Sequence, residues 1–390
     1  MKCFAALDIG STKIACMIGC HEEGSLRVLG KGVAPALGMR KGTIVHIDAT
    51  VQGIQQAVRE AEKAAGVSVD TVIAGISGSH IQSFNSTGIV AIRDKEVVYD
   101  DVRRVLEAAR AVAIPVDRET IHMLPQEYLI NDQGGIRDPL GMSGVRLEAK
   151  VHIVTGSTAV AQNIIKCANK AGLHVAEVCL ASLASAQSLC HDEKELGVVL
   201  IDIGGSTTDI VIFKEGAIIH TAIIPIGGSH ITNDIALGLR TPIAEAEKMK
   251  CLHGCALTSL IGFDEMVEVP GVGGRRAQAL SRRSLADIIE PRLEELILMV
   301  GREIDKTHMR HVLSAGIVMT GGSSLVYALP ELAEFTLEMP VKRVDASPEL
   351  STVLGLLRTR YDREQKKVHQ KNTVSDRLTR SVSAWMRDLF

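Results

Sequence analysis

Three glycine-centred turns in this sequence combine carboxylates, hydroxyls and backbone amides in patterns suited to handling phosphate. The longest spans residues 198–213 and reads V-V-L-I-D-I-G-G-S-T-T-D-I-V-I-F. Its flanks, 198–203 and 210–213, are runs of β-formers and are expected to be strands. Between them Gly204 and Gly205 permit tight backbone geometry and close approach of another group. Ser206, Thr207 and Thr208 add hydroxyls and a row of backbone N–H donors, which together can form a concave anion nest. Asp202 ends the first strand, where a carboxylate can face a hydrated Mg2+. Asp209 is expected to fix the turn. Taken alone, the same letters also describe an ordinary Gly-Ser-Thr hairpin.

A second copy stands near the start. Residues 6–18 read A-L-D-I-G-S-T-K-I-A-C-M-I, again an apolar strand ending in Asp, then Ile-Gly, hydroxyls and another apolar strand. The repeat of Asp8-Ile9-Gly10-Ser11-Thr12 at Asp202-Ile203-Gly204 and beyond has a period of about 190 residues, too long for a solenoid. It implies two related lobes, each presenting a phosphate loop. Lys13 follows the first loop and can reach a phosphate as a point charge. The third turn, A-G-I-V-M-T-G-G-S-S at 315–324, runs a short apolar strand into Gly321-Gly322 and Ser323-Ser324. It offers helix N–H groups and a glycine floor beside a ligand. Two such hairpins and a strand–Gly-Gly–helix turn, in this order, resemble the phosphate-1, phosphate-2 and adenosine motifs of the actin, Hsp70 and sugar-kinase superfamily.

The bulk composition agrees with a soluble, two-lobed chain. At 390 residues it can bury a large core and fill two or more domains. Hydrophobic residues make up 46% and charged residues 23%, as in globular proteins, while aromatics at 3% require a mostly aliphatic core. A net charge of −3 gives no overall pull towards nucleic acid. No apolar run reaches the roughly 20 residues that cross a bilayer. The first residues are expected to enter a strand directly, with no signal peptide. Eight scattered cysteines are therefore expected as free thiols in a reducing cytoplasm. Cys16, Cys20 and His21, and Cys251, His253 and Cys255, lack the C-x-x-C spacing and second ligand pair of a zinc site.

The remaining segments must position these turns. A helix capped by Asp48 or Thr50 is expected to run to about Ala65 and stop at Gly66. A strand follows at 72–76. Residues 82–149 interrupt the first lobe with a strand at 89–92, an amphipathic helix from Asp100, and strands at 128–131 and 145–154. This insert is a candidate contact surface or a structural elaboration. In P-I-A-E-A-E-K-M-K, at 242–250, Pro starts a helix on which Glu247 and Lys250 share a face. They can hold a ribose and a base edge, or form an exposed salt-bridged face. A long amphipathic helix is expected at 285–304, and a last folded helix near Ser351.

The tail differs. Six basic residues against two acidic ones mark 358–373 as a solvated linker. Beyond it, Val374, Leu378, Val382, Trp385, Met386, Leu389 and Phe390 fall on one helical face, with arginines outside the stripe. That pattern suits an interfacial membrane helix, with the basic lead-in drawn to anionic lipid. The other reading is a helix docked on its own domain.

Taken together, A-L-D-I-G-S-T-K, G-M-R-K-G, H-I-Q-S-F-N-S-T-G, E-A-A-R-A-V-A-I-P, L-P-Q-E-Y, the 138–156 block D-P-L-G-M-S-G-V-R-L-E-A-K-V-H-I-V-T-G, I-T-N-D-I-A and A-G-I-V-M-T-G-G resemble the FtsA family of bacterial cell-division proteins. The resemblance covers nearly the whole chain and thins at 358–373. It implies an α/β, actin-like ATPase fold of two lobes, each a mixed sheet flanked by helices, with an inserted α+β subdomain and a C-terminal amphipathic helix. It divides the chain into 1–81 and 150–195 (subdomain 1A), 82–149 (the insert, 1C), 196–238 and 313–345 (2A) and 239–312 (2B). The return helix 346–357, the linker 358–373 and the membrane helix 374–390 complete it. It implies ATP and Mg2+ as cofactors. Asp8, Gly10, Ser11, Thr12 and Lys13 match phosphate-1, and Asp202, Gly204, Gly205, Ser206, Thr207 and Thr208 match phosphate-2. Gly321, Gly322 and Ser323 match the adenosine motif, and Glu247 and Lys250 the ribose-contacting helix. Asp8 and Asp202 would face Mg2+ through water.

The implied role is a polymer on the cytoplasmic face of the inner membrane at the septum, anchoring the FtsZ ring through the FtsZ C-terminal tail and recruiting later division proteins. Anionic lipid and further copies of the chain are the other implied partners, with no nucleic acid. Two departures stand out. Ser206 and Ser323 replace glycines that are frequent in the family. The turn at 181–185, Ala-Ser-Leu-Ala-Ser, lacks the Glu that orients water in chaperone and MreB relatives, so hydrolysis is expected to be slow or undetectable. The alternatives are a small-molecule kinase of the same superfamily and a pilus-assembly actin-like adaptor.

Overall fold

The computed structural model describes residues 3–372 except positions 23, 41, 274, 275 and 345, with side chains described to position 365. Two five-stranded mixed sheets form its centre. In the first lobe the order is Ser25–Pro35, Lys13–Glu22, Cys3–Ile9, Thr71–Ile76, His174–Leu180. The first three strands form an antiparallel meander and the last two add in parallel. The second lobe repeats this with Ala217–Ile224, Thr208–Lys214, Val198–Ile203, Ile317–Thr320 and Val341–Arg343. The repeat seen in two short motifs thus extends to the whole topology of each sheet.

Side-chain alternation explains why both faces are covered. Ala5, Leu7 and Ile9 pack towards the helices Ile47–Ala65 and Thr158–Lys170. Phe4, Ala6, Ala15 and Met17 face the helix Ser351–Asn372 through Val353, Leu356 and Leu357. In the second lobe Val199, Ile201 and Ile203 join a cluster built on the helix Arg282–Asp305, while Val198, Leu200, Val211 and Phe213 meet Ala186 and Leu189. Asp8 and Asp202 therefore end strands on the face that looks towards the other lobe.

The insert is a four-stranded antiparallel sheet, Gln82–Ala91, Arg146–Ser157, Arg118–Ile130 and Gln133–Ile136, backed by the helix Tyr99–Arg110. Its third strand begins well before residue 128, where the sequence reading started it. Pro125 hides that strand, because proline breaks a ladder except at irregularities. Here it pairs with Val151 at a register shift.

Two further expectations need correction. The helix from Ile47 is capped by neither Asp48 nor Thr50: His46 Nδ1 accepts the Ala49 N–H at 3.1 Å, and the Thr50 hydroxyl donates back to the His46 carbonyl at 2.9 Å. More consequentially, 358–365, the first half of the expected linker, is not a free solvated segment. The helix from Ser351 runs unbroken to Asn372. Up to position 365 its side chains reach the first lobe and the connection beside it: Arg358 donates to the Gln187 carbonyl, Arg363 pairs with Glu177, and Tyr361 meets Phe4 edge-on and stacks on His21. Long polar side chains bury their stems while keeping their heads paired, so charge density alone misread the segment. The amphipathic stretch 374–390 lies outside the described residues. Among the described ones no helix is long and apolar enough to cross a membrane.

Candidate functional site

The two Asp-Ile-Gly hairpins have the same backbone. Ile9 pairs with Ile14, and Ile203 with Thr208, so each turn holds four residues, 10–13 and 204–207. Gly10 N–H donates to the Lys13 carbonyl at 3.0 Å, and Gly204 N–H to the Thr207 carbonyl at 2.9 Å. The turns meet face to face: a Cβ on Gly205 would collide with Thr12. Neighbouring elements lock each turn. Ser11 Oγ accepts the Gly42 N–H at 3.0 Å from the 38–42 loop. The Gly204 carbonyl accepts from Gly228 N–H at 3.0 Å and from Ser323 Oγ at 2.9 Å. Gly321 has φ 85°, a left-handed conformation, and a Cβ there would strike Asp202 Oδ1, so this position requires glycine. The third turn thus leans directly on the second hairpin.

These turns line one cavity of about 630 Å3 between the lobes. Asp8, Gly10, Ser11, Thr12 and Lys13 come from one lobe and Asp202, Gly204, Gly205, Ser206 and Thr207 from the other, with Glu247, Lys250, Gly321, Gly322 and Ser323 also lining it. Thr208 does not line it. Its side chain is fully buried and donates to the Ile226 carbonyl at 2.9 Å, because the register turns this position into the sheet. Ser323 spends its hydroxyl on Gly204, tying the third turn to the second. Lys250 is 7% exposed, which settles against a solvated salt-bridged face. Its Nζ donates to the Gly228 carbonyl at 3.1 Å, Thr232 Oγ1 at 2.9 Å and Glu247 Oε2 at 2.7 Å, joining the helices Gly228–Gly238 and Ile243–His253.

The cavity is rich in buried carboxylates. Burial pushes Asp8 up to about 6 against the pull of Lys13, with Asp202 adding to the rise. Asp202 is raised by burial, although hydrogen bonds from Ser185 at 2.5 Å and Thr352 at 3.2 Å and the charge of Lys13 oppose it. Asp209 rises to about 7 through burial and the nearby Asp202, against hydrogen bonds from Ser77 and Thr207. Lys13 is lowered by burial, which outweighs Asp8, Glu349 and Asp202; its Nζ donates to the Glu349 carbonyl. Burial works to raise Glu247, but the bonds from Lys250 and Thr232 hold it below the usual range. Three buried carboxylates, all less acidic than usual, mark a site short of positive charge. Asp209 Oδ1 is buried without a partner. Among the described residues no group of three or more His, Cys, Asp and Glu is arranged to hold a metal. Asp8 and Asp202, both lining the cavity, are a donor set that suits a cation carried mainly by water and phosphate oxygens, as Mg2+ prefers.

Sequence reasoning missed Asp209, Ser77, Ser185 and Thr352. Asp209 was assigned to the turn, yet it lines the cavity directly opposite Asp202 in the hairpin. Once the turn is known to hold four residues, strand alternation puts both carboxylates on one face. Ser185 and Thr352 come from the two segments where the chain crosses between lobes, and no local motif marks them. The helix Ala181–Ser185 offers the cavity no carboxylate, as its sequence implied.

With this geometry in hand, the likeness to known proteins becomes interpretable. The family described as "Cell division protein FtsA" matches residues 199–355, and "SHS2 domain inserted in FTSA" matches 78–155. The cell division protein FtsA of Pseudomonas aeruginosa is 49% identical over 369 residues, covering 91% of this chain and 88% of that protein. The chain belongs to the FtsA family. Its FtsA relative in Escherichia coli K12 is 39% identical over 409 aligned positions, covering 100% and 96% of the two chains. Among solved structures, the PilM-PilN type IV pilus biogenesis complex aligns with TM-score 0.68 at 15% identity over 91% of this chain and 98% of that one. MreB5 of Spiroplasma citri bound to ADP aligns with TM-score 0.59 at 13% identity over 96% and 99%. At such identities these two show the actin-like fold alone. The FtsA relatives over the full length favour a cell-division protein over the kinase and pilus-adaptor readings. The SHS2 match is wider at both ends than the 82–149 first drawn, consistent with a last insert strand that continues to Ser157.

Proposed function

We propose that this FtsA-family chain is an ATP-dependent building block of the division machinery, closed around Mg-ATP and tethered to membrane by its C-terminal residues. What carries the nucleotide reading is the convergence of three glycine turns, from residues 8–13, 202–207 and 321–323, on one inter-lobe cavity. Lys13 and the turn amides would meet the phosphates. Asp8 and Asp202 would face the hydrated cation. Glu247 and Lys250, fixed on each other and on Thr232, would meet the ribose, with Gly321, Gly322 and Ser323 flooring the adenosine. The hydrated cation carried with the nucleotide would supply the positive charge that the carboxylates of both lobes lack. No carboxylate stands at 181–185 to orient water, so the chain acts as a nucleotide-held switch with slow turnover. Several ATP hydrolysed per second by the purified protein would contradict this.

Closed subunits stack into filaments, partly through the insert. The region 242–311 of the second lobe takes the FtsZ C-terminal tail, and later division proteins join the assembled polymer. The stripe Val374, Leu378, Val382, Trp385, Met386, Leu389 and Phe390 enters the anionic inner leaflet at the septum. One short helix binds lipid weakly, and a filament multiplies that affinity. Trp385 is the only tryptophan, so its emission tests the tether: it shifts to the blue on adding anionic liposomes, and truncation after Lys371 abolishes co-sedimentation. Full-length protein that stays in the supernatant at every lipid composition would refute the tether.

A further inference from the structure

We propose that Ser77 and Asp209 form an inter-lobe clasp that sets how fast nucleotide leaves the cleft. The proposal rests on reading the cleft as a nucleotide site, and it assigns a positioning role to a carboxylate outside the phosphate motif.

The hairpin itself does not require Asp209. The matching position of the first hairpin is Ala15, which pairs with Asp8 as Asp209 pairs with Asp202. Ala15 is buried against apolar neighbours, and that hairpin forms equally well. A second carboxylate directly opposite the first is unfavourable in a sheet. Burying it to 5% exposure adds a desolvation cost. Such a residue is expected where it makes a contact that the fold otherwise lacks.

That contact crosses the cleft. Ser77 Oγ, from the first lobe, donates to Asp209 Oδ2, from the second, at 2.6 Å. Ser77 stands just beyond the carboxyl end of the strand Thr71–Ile76, so the bond joins one sheet end to the other. Asp202 also bonds across, but to Ser185 and Thr352, which lie where the chain passes between lobes. Those bonds lie beside the connecting segments rather than between the two sheet ends. The Ser77–Asp209 bond lies inside the cavity wall and must break when the sheets separate.

The clasp also touches the first phosphate turn. Gly78 follows Ser77 with φ 139° and packs on Gly42, whose N–H holds Ser11 Oγ at 3.0 Å. Opening at Ser77 therefore pulls on the 38–42 loop that steadies the 10–13 turn. Breaking a buried hydrogen bond leaves its partners unsatisfied at a cost, and this one resists release rather than entry.

The test is stopped-flow release of a fluorescent ATP analogue, loaded with Mg2+ on the full-length chain and chased with excess ATP. Ser77→Ala is expected to speed release about tenfold, equivalent to about 1.4 kcal/mol, with little change in the association rate. Ser77→Thr, which keeps the hydroxyl, restores slow release. Asp209→Ala also speeds release, and adding Ser77→Ala to it changes the rate by less than about twofold, because both remove one shared contact. Unchanged release in Ser77→Ala, or fully additive effects in the double variant, overturns the clasp alone. Failure of the wild-type chain to bind the analogue overturns the nucleotide reading and the clasp with it. The two Ser77 variants decide the matter even if Asp209→Ala does not fold.

Discussion

The two hairpins at the cleft share a backbone and differ in almost every side chain that matters. Gly10 and Gly204 close the same four-residue turn with the same hydrogen bond. At the last turn position the first hairpin has Lys13 and the second Thr207. One step on, buried Ile14 faces Thr208, which bonds inward to Ile226. At the next, apolar Ala15 faces Asp209, which reaches across the cleft. The first hairpin thus brings positive charge to the cavity through Lys13, while the second braces it through Asp202 and Asp209. The same backbone appears twice, and the side chains it carries divide the labour between the two turns.

The comparison breaks if the hairpins prove interchangeable, and Ala15→Asp is the harshest trial. The new carboxylate would lie opposite Asp8, among Phe4, Ile73 and Leu356, with no counterpart of Ser77. An uncompensated buried charge costs about 3–5 kcal/mol, so urea unfolding should show a severely destabilised or unfolded chain. Near-wild-type stability would show that the first hairpin tolerates the second one's chemistry. Gly321→Ala comes next. Its positive φ and the collision with Asp202 predict a loss of about 3 kcal/mol together with nucleotide binding, measured by denaturation and calorimetry.

Lys13→Ala sharpens the comparison by removing the charge found in one hairpin only. ATP affinity should fall about 10- to 100-fold, while thermal stability holds or rises, since Lys13 is buried at a cost. Thr208→Val is the opposite case. Losing one buried hydrogen bond costs about 1 kcal/mol, and ATP affinity should stay within about twofold, because the side chain points away from the cavity.

The smallest effect concerns the insert, which leaves the first lobe yet docks on the second. Ser83 donates to the Thr221 carbonyl at 2.8 Å, Gln126 to the Ile218 carbonyl at 2.9 Å, and His152 Nε2 lies 2.9 Å from Thr221 Oγ1. Burial, with a contribution from His220, lowers His152 to about 4. Between pH 6.5 and about 4 the unfolded chain then binds more protons than the folded one, so this residue's contribution falls as pH falls. Asp8 and Asp209 act with the opposite sign, being raised. The readout is therefore a difference: between pH 7 and 5 the insert strands of the wild type should lose more amide-exchange protection than those of His152→Gln. Equal losses would remove His152 from the seam.

Much of this was legible in the sequence, where local chemistry and local geometry coincide. The Asp-Ile-Gly turns, the Thr-Gly-Gly corner and the flanking strands each declare themselves within about ten residues. What stayed hidden depends on register or on distant partners. Asp209 and Thr208 are neighbours in the motif, yet alternation sends one to the cavity and the other into the sheet, and only the turn length decides which. The strand from Arg118 was masked by Pro125, whose irregular pairing is a tertiary fact. The segment after Leu357 read as a linker because Arg358 and Arg363 look like solvent-facing charges, whereas their partners, Gln187 and Glu177, lie more than 170 positions away in sequence.

The central claim is that three distant turns enclose one nucleotide. Calorimetric titration of Mg-ATP into the full-length chain tests it most directly, with Lys13→Ala from the first lobe and Lys250→Ala from the second. One ATP per chain is expected in the wild type, with affinity weakened at least about tenfold by either change, since both lysines line the same cavity. Two independent sites, or affinity that survives either substitution, would contradict it.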